Sequence, residues 1–203
     1  MSPFDFTKDY SLENHTVRLT PLTLAHFEPL FQVANEASIW HFFLEKGLGK
    51  VHFKTYFEAA LHAKENQTQY TFAVFDKRTN EYSGMTRLYD ISNKLSHLKI
   101  GHTWYGKAFQ GTGLNKNCKY LLFEFVFNHL KFERIGFGAN AKNEISIRAM
   151  KSVGCQVEGY LRSFIPEANG ERTDIILLSI LKNEWDNSIK NTLLHHLKSF
   201  QQL

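Results

Sequence analysis

Apolar and polar residues alternate through Leu98–Tyr105. Leu98, Ile100, His102 and Trp104 fall on one side, and Lys99, Gly101, Thr103 and Tyr105 on the other, the two-residue period of a strand. From Leu114 the period lengthens: Leu114, Cys118, Leu121, Leu122, Phe125 and Val126 form the stripe of an amphipathic helix. Between them sits Gln110-Gly111-Thr112-Gly113. The pattern predicts a strand, a tight glycine turn and a long helix.

The rest of the chain is read around that unit. Thr16–Leu22 predicts a first strand, with Thr23 capping a helix that carries Leu24, Phe27, Leu30 and Phe31 on its apolar side. Residues 36–49 are irregular and aromatic, and 51–65 predict a second helix. Gln69–Phe75 and Tyr82–Tyr89 predict a hairpin around the polar turn at 76–81, and Ile91–Ser96 turns into the strand at 98. Beyond the long helix come a strand at Arg134–Asn140, parallel to the strand at 98 because a helical crossover joins them, and a short helix from Asn143 to Gly154. Two strands, 156–162 and 172–180, then flank a turn at Asn169-Gly170. The tail, 183–203, carries Ile189, Leu193, Leu197 and Phe200 at near-helical spacing, for packing on its own domain or for a dimer contact. Residues 1–11 lack a period and are expected as an arm laid on the surface.

Composition narrows the class. The 203 residues suffice for one domain with a sizeable core, so 1–203 is read as a single domain with the arm and the helical tail as appendages. Hydrophobic residues make up 43% and charged residues 22%, as in ordinary soluble proteins, and 18 phenylalanines imply an aromatic core or cleft. A net charge of +4 suits an anionic cofactor but is too weak and dispersed for nucleic acid. Cys118 and Cys155 have no metal-ligand spacing, and the ten histidines form no HExxH, so no metal is expected. The start lacks a signal-peptide pattern and no apolar run is long enough to span a membrane, so a cytoplasmic protein is expected.

Glycines at the mouth of a helix let backbone N–H groups point at an anion, where the unpaired first-turn donors and the macrodipole favour negative charge. Gly111 and Gly113 therefore form either a phosphate site or a plain strand-to-helix turn. The stretch is neither GxxxxGK[ST] nor GxGxxG, which removes support for nucleotide hydrolysis and dinucleotide binding.

Thr103-Trp104-Tyr105 followed by Gln110-Gly-Thr-Gly-Leu-Asn-Lys116 and an apolar helix resembles the acetyl-CoA-binding signature of the GNAT N-acetyltransferases. It is most similar to the branch containing the ribosomal-protein N-terminal acetyltransferases, and the likeness extends over about residues 12–185, through Leu12-Glu-Asn, Val17-Arg-Leu-Thr-Pro-Leu, Gly84, Asn143-x-x-Ser146 and Glu158-Gly-Tyr-Leu-Arg. The resemblance implies an α/β fold with a mixed, mostly antiparallel sheet, helices on both faces and a central parallel pair, 98–105 and 134–140, that splays to hold acetyl-CoA. It further implies pyrophosphate on the amides of Gly111, Thr112, Gly113 and Leu114, with Gln110 shaping the turn, Asn115 adding a side-chain contact and Trp104–Tyr105 lining the pantetheine path. Asn143 and Ser146 would meet the pantetheine arm from the second side.

By the same resemblance the reaction is direct attack of a neutral amine on the thioester. An oxyanion donor is expected at a backbone N–H near Trp104–Tyr105, which places Tyr105 with Ser146 among the candidate catalytic positions. Many members use a tyrosine on the short helix as acid; Met150 stands there, leaving Ser146 as the hydrogen-bond donor to sulfur. The base is unassigned: His102 has a suitable ordinary pKa but shares its side with apolar residues, and Glu158 and Tyr160 are weaker choices. The acceptor is a protein N-terminal α-amine or a small amine such as a polyamine or aminoglycoside, and the protein is a monomer or homodimer. A non-catalytic acyl-CoA-binding module is the rival reading.

Overall fold

The computed structural model describes residues 3–167 and 170–199. Asn169 and Phe200, read above as part of a turn and of the tail stripe, lie outside them. Eight strands are described: β1 (Leu12–Glu13), β2 (Val17–Pro21), β3 (Gln69–Asp76), β4 (Glu81–Ser92), β5 (His97–Tyr105), β6 (Arg134–Asn140), β7 (Gln156–Pro166) and β8 (Arg172–Leu181). They form one sheet in the order β1-β2-β3-β4-β5-β6-β8-β7. Every neighbouring pair is antiparallel except β5 and β6. The hairpins need only short turns, whereas β5 and β6 are joined by the helical crossover that a parallel pair requires.

Each face of the sheet is covered by helices. On one, α1 (Phe27–Ala34) and α2 (Lys50–Glu65) pack Leu30, Phe53, Tyr56 and Phe57 against Ala73, Met85 and Trp104. The irregular segment 36–49 belongs to this layer: a short 3₁₀ turn, Ala37–Trp40, buries Trp40 against Tyr56 and Trp104. On the other face, α3 (Leu114–Phe123) and α4 (Glu144–Lys151) cover Leu98, Ile100, Ile135 and Phe137. The stripe on α3 is buried as its period predicts except at Leu121, which is half-buried, and the helix continues as a π-helical turn, Glu124–His129, that turns Phe125, Val126 and Phe127 all inward.

The chain end is helical through α5 (Lys182–Glu184), a π-helical turn Trp185–Ile189 and α6 (Lys190–Ser199). Trp185, Leu193 and Leu197 are buried, Ile189 is half-buried, and Trp185 packs on Tyr120 and Phe123 of α3, so the described part of the tail's stripe packs on its own domain. The N-terminal arm is more than a surface strap. Phe4 inserts into the core against Tyr70 and Phe125, and its N–H donates to Asn93 Oδ1 at 2.8 Å. Phe6 and Tyr10 pack on the same core, and anchoring rings outside any regular element leave no period to read.

Candidate active site

β5 and β6 are registered only at His97–Arg134, Leu98–Ile135 and Lys99–Gly136. Beyond Lys99 and Gly136 each strand keeps its outer partner, β4 and β8 respectively, while no pairing joins their inner edges. The two strands part, and a row of backbone polar groups on each is left facing the gap. The carboxyl ends of these strands lead to the glycine turn on one side and to the start of α4 on the other, the position where open α/β sheets take ligands.

The alternation read for β5 breaks inside this gap. Arg87 of β4 is opposite Gly101 and Met85 is opposite Trp104, so two β5 residues, His102 and Thr103, face Thr86 alone. This is a β-bulge, with His102 at φ +47° as the extra residue. It reverses the sides downstream. Leu98, Ile100 and Tyr105 lie in the core beneath α3, and Trp104 lies in the opposite core with Trp40 and Phe53. His102 therefore does not share a side with Leu98 and Ile100; its ring lies against Tyr89, 5.5 Å between centroids. Burial, with help from Arg87, pulls its pKa down to about 4. The interrupted pairing falls at His102–Thr103, just before the expected Trp104–Tyr105.

The glycine turn has the geometry of a cradle. Gly111 and Gly113 take φ of +75° and +80°, and a Cβ at Gly111 would meet no protein atom within 4 Å, projecting into open space before the turn. Gly113 is the N-cap of α3 in the left-handed region. Gln110 Nε2 donates to Tyr105 O at 2.9 Å and Thr112 Oγ1 donates to Phe109 O at 2.8 Å, fixing the loop to the end of β5. Leu114 is fully buried, so only its backbone can serve a ligand. The Asn115 side chain is engaged, accepting from the Tyr105 hydroxyl at 3.2 Å.

Sequence reading missed Arg78, which sits in the polar turn between β3 and β4. Its guanidinium is held by the buried Asp76 (2.6 and 2.9 Å) and donates to Thr112 O at 2.9 Å and Thr112 Oγ1 at 3.3 Å. A guanidinium whose charge is balanced by Asp76 thus braces the turn that would hold a pyrophosphate. No local signal marks it, because the hairpin turn meets the loop only in the folded sheet.

Across the gap, Asn143 caps α4, its Oδ1 accepting from Ser146 N–H at 3.0 Å. The cap uses the Ser146 amide and leaves its half-buried hydroxyl out of that bond. Met150 is buried in the core beneath α3. The Tyr105 ring is buried, and its hydroxyl lies against Asn115 and the Cys118 thiol, so that burial holds its pKa well above the ordinary phenol. Trp104 offers the gap only its backbone, since its indole is on the far face.

Two further groups bear on the chemistry. Lys119 of α3 is buried, with its ammonium 3.2 Å from Thr103 Oγ1, which in turn lies 2.8 Å from Thr86 Oγ1; burial brings its pKa down to about 8. Glu158 is ion-paired to Arg134 at the closed end of the β5–β6 pair and accepts from Ser179 Oγ at 2.9 Å, which takes it away from the open end. Arg134 holds its carboxyl below the usual range. Tyr160 is exposed on β7. Among the described residues no grouping of His, Cys, Asp and Glu suits a metal ion, and no helix is long and apolar enough to cross a membrane.

Comparison with known proteins agrees with this geometry. Residues 16–156 match the acetyltransferase (GNAT) domain model. YdaF of Bacillus subtilis (strain 168), provisionally named a ribosomal N-acetyltransferase, is 29% identical over 103 residues, 51% of this chain and 55% of its own length. The chain thus matches little more than half of that relative. A crystal structure of a provisionally named acetyltransferase from T. thermophilus superposes with a TM-score of 0.83 at 27% identity, over 97% of this chain and all of that one (100%). A GCN5-related N-acetyltransferase from Brucella melitensis has the same fold, with a TM-score of 0.86 at 22% identity, covering 96% of this chain and 88% of that one. With a family model spanning most of its length and a sheet that parts at the central parallel pair, the chain belongs to the GNAT acetyltransferase family.

Proposed function

We propose that the protein transfers the acetyl group of acetyl-CoA to a primary amine by direct attack, with a protein N-terminal α-amine as acceptor. The parting of β5 and β6 after Lys99 and Gly136, leading straight into the Gly111–Gly113 turn at the start of α3, carries this reading. An extended, amide-bearing arm needs backbone partners on both sides, and a pyrophosphate needs convergent N–H donors; the gap and the turn supply them in that order. Bound there, acetyl-CoA supplies an activated thioester carbonyl.

The residues of the chain then have separate tasks. The amides of Gly111, Thr112, Gly113 and Leu114, backed by Arg78, hold the pyrophosphate, and Gln110 keeps the turn in place. Asn143 and the Ser146 hydroxyl face the arm from α4, where Ser146 donates a hydrogen bond to the departing sulfur. The bulge at His102–Thr103 frees backbone from the ladder to donate to the developing oxyanion. Tyr105 and Asn115 brace the junction of β5 and α3. His102 stays neutral at ordinary pH; it can accept a hydrogen bond from the incoming amine, and its low proton affinity sends the proton on to water rather than keeping it.

A polycationic acceptor needs several carboxylates, whereas the charged side chains buried beside the bulge, Arg87 and Lys119, are both cationic. That observation favours a peptide α-amine over a polyamine or aminoglycoside. Release of the CoA thiol in the presence of peptides with free or blocked N-termini tests the proposal. Turnover with free N-termini alone, with one acetyl group on the N-terminal residue by mass spectrometry, is expected. Tight acetyl-CoA binding with no thiol release from any peptide or amine would reduce the protein to a binding module.

A further inference from the structure

On the α2 side of the bulge lies a group of buried donors with almost nothing to receive them. Arg87 is 3% exposed, Tyr56 1% and Trp104 3%. Arg87 Nη1 donates to Gln69 Oε1 at 3.1 Å, and its guanidinium lies over the Tyr56 ring, 4.5 Å from the centroid. Arg87 Nε and Nη2, Trp104 Nε1 and the Tyr56 hydroxyl have no hydrogen-bond partner. The Arg87 and Trp104 N–H groups lie around the Tyr56 hydroxyl, which cannot satisfy them: one phenol oxygen has two lone pairs, and Arg87 alone brings three unmatched N–H donors. No carboxylate pairs with Arg87 among the described residues. A buried guanidinium without a counter-charge opposes folding, and buried donors in native proteins are otherwise matched.

What is missing is an acceptor with two oxygens and a negative charge. Arg87 is opposite Gly101, next to the bulge, so such a group would sit within a short span of the point where an amine meets the thioester. We infer that Arg87, Trp104 and Tyr56 form the recognition site for a carboxylate carried by the amine acceptor, close to its reacting nitrogen. The inference rests on the acetyl-transfer reading and narrows its substrate class. The carboxylate is either the α-carboxylate of a free amino acid or the side chain of an acidic first residue in a peptide. A guanidinium binds either bidentately, with the indole N–H and the phenol closing the shell. Trp40 packs on both Trp104 (5.6 Å) and Tyr56 (4.9 Å) at the edge of the cluster.

The test uses the full chain loaded with CoA. Calorimetry measures binding of N-acetylglutamate against its diamide, and of N-acetylalanine against N-acetylalanine amide, to wild type, Arg87→Met and Arg87→Lys, each checked for folding by circular dichroism. Thiol release is followed in parallel with peptides beginning in Glu or Gln and with free alanine or alaninamide. Acids are expected to bind and react at least tenfold better than their amides in wild type. The margin should shrink in Arg87→Lys and vanish in Arg87→Met, with acetyl-CoA affinity unchanged. A preference confined to the Glu peptides assigns the side-chain carboxylate, and one confined to alanine assigns the α-carboxylate. Carboxylate binding without acetyl transfer would remove the proposed reaction and leave this site standing. Equal behaviour of acids and amides in wild type, or a preference that survives in folded Arg87→Met, would overturn it.

Discussion

Arg78 and Thr112 are 34 residues apart in sequence, yet the guanidinium of the first holds the backbone carbonyl of the second at 2.9 Å while Asp76 grips it from behind. Hydrogen bonds from this ion-paired guanidinium thus tie the β3–β4 turn to the loop that opens α3.

Removing that tie should loosen the loop more than the fold. Arg78→Ala deletes two charge-assisted bonds to Thr112 and a partly exposed ion pair, and we expect about tenfold weaker acetyl-CoA binding, in line with charge-assisted hydrogen bonds of about 1.5–3 kcal/mol. Arg78→Lys, which keeps the charge but not the fork, should recover only part of it. Calorimetric titration of both variants checks this.

Gly84 of β4 lies opposite Tyr105 of β5. A Cβ there would come within 2.0 Å of Trp104 O, which is backbone and cannot step aside. Gly84→Ala should therefore cost roughly 3 kcal/mol, the upper range for overpacking, whereas Gly159→Ala on β7, with nothing within 4 Å, should be neutral or slightly stabilising. Denaturant midpoints of the two variants give the contrast directly.

His102 carries a pH dependence of known sign. Its folded pKa of about 4 lies below the ordinary 6.5 because burial disfavours the imidazolium. Between these values the unfolded chain binds a proton that the folded chain does not, so stability is lost as pH falls from about 6.5 to about 4 and levels off below. At about 1.4 kcal/mol per pH unit the contribution is about 3 kcal/mol. His102→Asn, which tolerates the positive φ, should flatten this part of the stability–pH curve relative to wild type.

Lys119 shows the same penalty at higher pH. Its ammonium is buried with a hydroxyl and no carboxylate for company. Lys119→Met should stabilise the fold at pH 7 by about 2 kcal/mol. Because the folded pKa is near 8 and the unfolded value 10.5, the gain should shrink as pH rises through that window and disappear above it. Unfolding curves at pH 7, 9 and 11 test the trend.

Much of this was legible in the residues. The period of two, the glycines and the period of 3.6 place β5, the turn and α3 because each signal is local, and the helical crossover supplies the length that a parallel β6 requires. What escaped reading depends on pairing across the sheet. One extra residue at His102 reverses the faces of Trp104 and Tyr105, and no alternation rule counts a residue that the partner strand omits. Arg78 and Arg87 look like ordinary polar positions in a turn and a strand. Their surroundings, the Thr112 carbonyl and the Tyr56 ring, come from distant segments. Phe4, in an arm without period, gave no sign of its buried ring.

The central claim is that the gap between β5 and β6 and the turn at its mouth hold acetyl-CoA. Calorimetric titration of acetyl-CoA into wild type, Gly111→Ala and Gly111→Trp tests it most directly, because a Cβ at 111 projects into open space before the turn. Both variants share the strain of a left-handed residue, about 1–2 kcal/mol, so the alanine isolates the effect of bulk. The account predicts binding by wild type, modest weakening in Gly111→Ala and loss of binding in a folded Gly111→Trp. Unchanged affinity in the tryptophan variant, or no binding by wild type, would contradict it.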